Sequence, residues 1–423
     1  MRAIASVFTL LIGVAIILSG IGLLGTLLGV RGQLEGFSPT VLGLVMSGYF
    51  AGFVIGTRWI PRLIRQVGHI RVFATLASLA SIATLLHGLY VTPVLWFVLR
   101  LASGVCIVGL YIAIESWLNE RASNEERGSI FSAYMTTTLI GLGIGQVLLM
   151  AGPADNLELF ALASVLLSLG LVPVALTEVK EPPIVEAGRL GLRKLYAISP
   201  LGVVACIFAG LGSGSFWGLG PVFASAIGLD KGGVATFMSL TILGGIVMLW
   251  PVGRFSDGHE RRKVLAWACA LASVGALAAA IAVGYGFIWV MIGGFAYGSF
   301  AFSMYSLAAA HTIDHLDRSH VLEVTSTLQL LWAVGAIIGP IVAGVLMQRL
   351  GPETLMMFVA ATALVPAVFA RYRMAVSESV PMEDQGDFVP QFVTSPAALE
   401  MHPDEIADGG ESEESEKTEE PQP

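Results

Sequence analysis

The sequence predicts an all-α integral membrane protein of twelve transmembrane helices, built as two related six-helix halves with both termini cytoplasmic. Three observations carry this. Apolar residues (AVILMFWYC) form 55% of the 423 positions, while only 13% are charged. A soluble domain carries about 25% charge and has no way to hide so much apolar surface, so a soluble enzyme is excluded and the bilayer supplies the missing solvent. Second, apolar runs of about 20 residues recur along the chain. Third, the segments flanking those runs repeat at a nearly constant offset.

The runs lie at about 4–30, 39–60, 71–91, 93–117, 128–151 and 157–177, then 198–227, 231–252, 263–284, 286–310, 322–347 and 354–372. Each suits a spanning helix, and none shows the short alternation of a barrel strand. The first run is too long for a signal-peptide core and reads as the first span. With the N-terminus inside, 19 of the 23 Lys and Arg residues fall in cytoplasmic segments. The outer loops hold Arg31, Lys231 and Arg349, and Arg100 lies within a span. This asymmetry sets the expected orientation and a multi-pass place in the cytoplasmic (inner) membrane.

The net charge of −8 conceals a division. Residues 377–423 hold fourteen acidic residues and one lysine, so that segment carries −13 and the chain before it +5. A stretch of this composition is expected to be a disordered acidic tail. The basic residues sit singly in short loops, which gives nucleic-acid binding no support. Cys106, Cys206 and Cys269 lie inside apolar runs without metal or redox spacing and read as packing residues.

The repeat is visible in three places. Gly36-Phe37-Ser38 matches Gly228-Leu229-Asp230 at an offset of 192, and Gly68-His69-Ile70 matches Glu260-Arg261-Arg262 at the same offset. Gly145-Gln146 matches Gly339-Pro340 at 194. The expected division is a first bundle over 1–177, a cytoplasmic joint over 178–197, a second bundle over 198–376 and the tail over 377–423.

Several motifs carry chemistry. The loop GRFSDGHERRKVL (253–265) combines Gly253, Asp257, Arg261 and Arg262. A glycine permits close helix approach, a carboxylate suits a helix N-terminus, and the arginines can close a charge network. The plainer reading is a basic loop that anchors topology. The matching first-half loop, TRWIPRLIRQVGHIRVF (57–73), keeps Gly68 but has Arg65 where the second loop has Asp257. Arg100 and Glu115 are the charges within span 4. Fifteen residues make about 22 Å of helix, so they cannot pair directly, yet they share one side of it. Glu115 reads either as a coupling carboxylate or as a cytoplasmic-end partner of an arginine such as Arg127. Tyr111, Tyr134, Gln146, Ser213, Trp217, Tyr305, Gln329 and Trp332 are further pore-lining candidates. His87 reads as a core residue or a proton relay. His311, Asp314 and His315 have a spacing that could bind metal, but a solvated polar cap explains them better, so no metal or cofactor is expected.

The 253–265 loop, the Arg100-Leu-Ala-Ser-Gly104 segment and the Gly-Pro helix around Gly339 and Pro340 resemble signatures of the major facilitator superfamily. GYFAGFVIGT (48–57), ERGSIFSAYM (126–135) and VGAIIGPIVAG (334–344) further resemble its YcaD-like branch. The resemblance implies secondary transport by alternating access, with substrate bound between the halves. It also implies that Asp257 meets the start of span 5 and that Arg261 reaches Glu126 or Glu120. The expected function is movement of a small solute, with proton-coupled efflux the favoured form. The alternative is a transporter-derived sensor or interaction protein working through its tail. No enzymatic role is expected, because only the 311–320 cluster could supply one, and it is poor. The expected partners are a solute, protons and lipid, and the expected state is a monomer.

Overall fold

The computed structural model describes residues 2–121, 126–175, 190–316, 321–377, 380–386 and 388. Most of the expected joint and residues 389–423 of the tail lie outside the described residues. Among the described residues, eleven helices are long and apolar enough to span a bilayer, and Glu158–Val174 forms a shorter apolar helix in the twelfth position. In chain order they are α1 (Arg2–Leu34), α2 (Pro39–Val67), α3 (His69–Leu89), α4 (Pro93–Arg121), α5 (Arg127–Leu148), α6 (Glu158–Leu169), α7 (Pro200–Ala226), α8 (Lys231–Asp257), α9 (Arg261–Ile281), α10 (Phe287–Ala301), α11 (Val321–Leu350) and α12 (Thr354–Val376).

Helices α2, α4 and α8 run further than their apolar stretches, because backbone hydrogen bonding continues into polar sequence. Helix α6 is interrupted at Gly170 and resumes over Leu171–Ala175; Pro173 removes the N–H that Leu169 C=O would accept. Helix α10 breaks at Phe302–Ser303 and resumes over Met304–Ile313. There the Ser303 hydroxyl donates to Phe300 C=O at 2.8 Å, in competition with the helical bond.

The repeat reappears in the geometry. Gly36 and Gly228 both have positive φ, at 75° and 96°. Two residues on, Ser38 and Asp230 cap α2 and α8, accepting from Val41 N–H at 3.3 Å and Gly233 N–H at 2.8 Å. The tightest helix joints also repeat. A Cβ on Gly52 would run into Leu101 O, and one on Gly104 into Tyr49 O; on Gly244 it would meet Phe295 O, and on Gly298 Thr241 O. Thus α2–α4 and α8–α10 are joined by the same glycines, 192 and 194 residues apart. Gly145 against Ser19 O and Gly339 against Leu211 O make a third matching pair, α1–α5 and α7–α11.

The halves meet along another set of close contacts. A Cβ on Gly43 would collide with Pro340 O, and one on Gly344 with Pro39 O, which seats α2 on α11. Gly29 approaches Pro221, and Gln33 donates to Val222 C=O at 3.2 Å, which seats α1 on α7. Lys231 reaches Gly152 C=O, where α8 meets the end of α5. All these contacts lie toward the end that carries Gly36 and Gly228.

Candidate functional site

Between the two halves lies a cavity of about 180 Å³. Its first-half wall holds Thr26, Tyr49, Phe50, Phe53, Arg100, Tyr111, Thr138 and Gln146; its second-half wall holds Ala209, Ser213, Trp217, Phe302, Tyr305 and Trp332. Apolar surface dominates, and among the described residues no acidic one lines it.

Arg100 dominates the polar wall. It is 9% exposed. Its guanidinium carbon stands 4.5 Å from the centre of the Tyr49 ring, a cation–π contact. Its Nε is buried with no hydrogen-bond partner among the described residues. Among the described residues the cavity offers this cation no carboxylate, and the contact it makes is with an aromatic face.

Gln146 replaces the proline of the other half and uses its whole amide. It accepts from Thr26 Oγ1 and donates to Gly22 O at 3.2 Å and Leu142 O at 3.3 Å, tying α5 to α1. Tyr111 and Tyr305, 194 residues apart, face the same space from opposite halves. Phe50 meets Trp332 edge-on at 5.8 Å across the halves, while Trp217 stacks on Phe302 at 5.7 Å and 8°. The break in α10 leaves Phe302 in the cavity wall.

Of the sequence candidates, Arg100, Tyr111, Gln146, Ser213, Trp217, Tyr305 and Trp332 are brought together here. Glu115, Tyr134 and Gln329 are not part of this wall. Glu115 is fully buried one turn beyond Tyr111 and accepts from Tyr134 Oη at 2.7 Å, inside the first half. Gln329 is buried on α11. Sequence reading missed Thr26, Tyr49 and Thr138. None of the three carried a signal of its own, since a tyrosine or threonine within an apolar run also reads as packing. His87 is core: its ring Nδ1 lies 2.7 Å from Ala83 O, and its carbonyl accepts from Trp96 Nε1 at 3.0 Å.

Comparison with known proteins fits this arrangement. The model of the Major Facilitator Superfamily matches twice, over residues 5–203 and 202–390. The chain belongs to the major facilitator superfamily. It is 25% identical over 366 residues to the uncharacterized MFS-type transporter YcaD of Escherichia fergusonii, covering 85% of this chain and 93% of the relative. It is 27% identical over 367 residues to an uncharacterized MFS-type transporter of Yersinia pestis, with the same coverage. Among solved structures it resembles the nucleoside transporter NupG, with TM-score 0.68, 16% identity, and 89% and 100% of the two chains covered. It also resembles a bacterial homolog to the human lysosomal transporter Spinster, inward-facing and occupied, with TM-score 0.70, 13% identity, and 90% and 97% covered. These likenesses show the fold. As a member of this superfamily the protein is a membrane transporter.

The superfamily-like loop between α8 and α9 is engaged differently from the sequence expectation. Arg261, 2% exposed, donates to Asp314 at 2.6 Å, to Gly386 C=O at 2.6 Å and to Ser256 Oγ at 3.2 Å, rather than to Glu126 or Glu120. Asp257 accepts from Phe388 N–H at 2.7 Å. Arg262 bonds Glu260 and the Ser377 carbonyl at 3.0 and 2.9 Å. The residues after α12 have thus reached the loop. Residues 380–386 and 388, expected to be disordered, are placed against this loop, where the backbone of Gly386 and Phe388 finds partners.

Burial raises the Asp314 carboxyl above its ordinary range, against the opposing pull of Arg261 and Gly386 N–H. Burial also pushes Glu260 up, but hydrogen bonds from Lys263 and Arg262 outweigh it and hold the group below its usual value. Asp314, at the middle position of the 311/314/315 spacing, is occupied by Arg261, and the His311 and His315 rings meet edge-on at 4.6 Å. In the first half, Gly68 ends α2 with φ of 88°, while the exposed Arg65 lies in its last turn.

Proposed function

We propose that this protein is a secondary transporter that moves a small amphipathic organic anion across the cytoplasmic membrane by alternating access. The orientation favoured by the Lys and Arg distribution puts both termini in the cytoplasm. The Gly36/Gly228 end, where the halves are seated on one another, then faces outward, and this state is closed to the exterior. Efflux is the favoured direction of this cycle.

The observation that carries the substrate class is Arg100, a buried cation in a cavity without a carboxylate. A charge kept out of water needs a partner, and a solute carboxylate or comparable anion supplies it in the bound state. One cation favours a monoanion over a sugar phosphate. The aromatic second-half wall suits a ring or branched apolar body, and a cavity near 180 Å³ suits a small solute. Glu115 belongs to the same reading as the proton-coupling residue, because it sits one turn from Tyr111 on the cavity-facing helix.

Counterflow in proteoliposomes tests this. Labelled aromatic monocarboxylates should exchange saturably, their uncharged amides should not, and Arg100→Gln should abolish exchange without lowering thermal stability. Exchange of neutral solutes only, or full exchange by Arg100→Gln, overturns the anion assignment. Absence of exchange for every solute class favours the interaction-protein alternative. Glu115→Gln should keep exchange while losing accumulation driven by a pH gradient.

A further inference from the structure

The segment after α12 makes more contacts with the α8–α9 loop than its composition suggests. The Phe388 ring lies where a side chain on Gly253 would stand: a Cβ there would meet three atoms of the ring. Phe388 N–H donates to Asp257 at 2.7 Å. Gly386 contributes both backbone groups, its carbonyl to Arg261 at 2.6 Å and its N–H to Asp314 at 3.3 Å. Ser377 accepts from Arg262 through its carbonyl and its hydroxyl, at 2.9 and 3.2 Å. Two arginines at the end of a spanning bundle would ordinarily extend into water. Here Arg261 and Arg262 are 2% and 6% exposed.

The occupied surface is the one that a closing motion needs. Helices α5 and α8 are antiparallel neighbours across the halves, joined where Lys231 reaches Gly152 and Gly232 approaches Met150. At 1.5 Å per residue, α5 extends about 33 Å and α8 about 40 Å from that joint, so Asp257 and Gly253 reach the axial level of the first turn of α5. Alternating access opens the joined end and brings the other ends together. Asp257 would then meet the N–H groups that begin α5, a favourable place for a carboxylate, and Gly253 would give α5 room to approach. The same carboxylate and the same glycine face are taken here by Phe388.

We infer that residues 380–386 and 388 act as a strap that binds the α8–α9 loop in this state and competes with the first half for Asp257 and Gly253. The strap occupies the closing surface at the Arg-rich end. It must leave before that end can close, so its release is a control point in the cycle. The inference needs two states of the bundle but no particular solute, and its test reads no transport.

Spin labels at Gln66→Cys and Gly258→Cys report the distance between the two loops in the full-length chain, with Cys106, Cys206 and Cys269 replaced by Ala. A Cβ at Gly258 meets nothing within 4 Å, and Gln66 is exposed. Phe388→Ala should raise the ratio of short to long distances by at least about fivefold, the scale expected from losing part of a buried aromatic contact. A synthetic peptide of residues 380–390, VPMEDQGDFVP, added to that variant should restore the long distance. An unchanged distance distribution in Phe388→Ala overturns the strap. A shift that the peptide fails to reverse overturns competition for the loop. Thermal unfolding of the variant should stay near the parent value, which separates release of the strap from general loosening of the second half.

Discussion

The first and second halves of this chain share their joints and differ in what they surround. Gly52 and Gly104 lock α2 to α4 as Gly244 and Gly298 lock α8 to α10. Yet Arg100, four residues before Gly104, corresponds to Gly294, four before Gly298. Phe237 fills the space at Gly294, lying 2.6 Å from where a Cβ would stand. Tyr111 and Tyr305 remain a matched pair, whereas Gln146 faces Pro340 and Glu115 faces Ala309. The loops diverge in the same way: Gly68, in a left-handed backbone conformation, corresponds to Glu260 with φ of −56°. Backbone contacts in a duplicated bundle tolerate no added atom, so they persist in both copies. Side chains aimed at the cavity or at the loops carry no such restriction. Here the first half specialised in charge at the cavity, and the second in charge at the loop.

Substitutions in the two halves can break or sharpen this comparison. The largest effect is expected at Arg261. Arg261→Ala leaves Asp314 buried without its cation and should cost about 3–5 kcal/mol at neutral pH, whereas Arg65→Ala at an exposed first-half position should stay near 0.5 kcal/mol. A group whose folded pKa is raised contributes stability below its unfolded pKa and loses it as pH rises. The Arg261→Ala deficit should therefore shrink in acid, as Asp314 takes up its proton. Melting curves in detergent across the carboxylate range would show this, and equal deficits for the two arginines would erase the asymmetry of the loops.

The shared joints come next. Gly52→Ala and Gly244→Ala each drive a methyl into a backbone carbonyl and should each cost about 1–3 kcal/mol. Similar losses in thermal stability support a common joint; a loss in one half only would confine it to that half. Gly68→Ala forces an L residue to φ near 88° and should cost about 1–2 kcal/mol, while Glu260→Ala at the matching position costs less. A small effect is also expected for Glu260→Gln, under about 1 kcal/mol, since its ion pairs are partly solvated. The Glu260 carboxyl sits below its ordinary value, so its contribution is present above the unfolded value and is lost as pH falls through the folded one. Glu260→Gln should remove that acid-dependent part of the unfolding curve and nothing at pH 7 beyond the small deficit.

Much of the site was legible, but unevenly. Arg100 was conspicuous because a charge within an apolar run is costly anywhere in a bilayer. Gln146 was conspicuous as a departure from the repeat. Tyr49 and Thr26 were not, because a tyrosine or threonine among apolar residues reads as packing until a helix rotation fixes which way it faces. Glu115 drew attention for the same reason as Arg100, yet it points into the first half toward Tyr134. Periodicity told that the two share a side of α4, not what that side meets at each depth. The helix interruptions after Leu169 and Ala301 were equally hidden. One depends on a proline near the end of an apolar run, the other on a single hydroxyl at Ser303.

By itself, the sequence determined the membrane class, the twelve apolar segments, the duplication and the superfamily. These follow from composition and from spacing along the chain, quantities that do not depend on which helices touch. Tertiary structure alone decided that Arg100 has an aromatic face and no carboxylate beside it, that Asp314 rather than Glu126 takes Arg261, and that Phe388 covers Gly253. Each of these joins residues 51 to 135 positions apart in the chain. Nothing local records such a contact, because it exists only once packing has brought two distant surfaces together and removed the water between them.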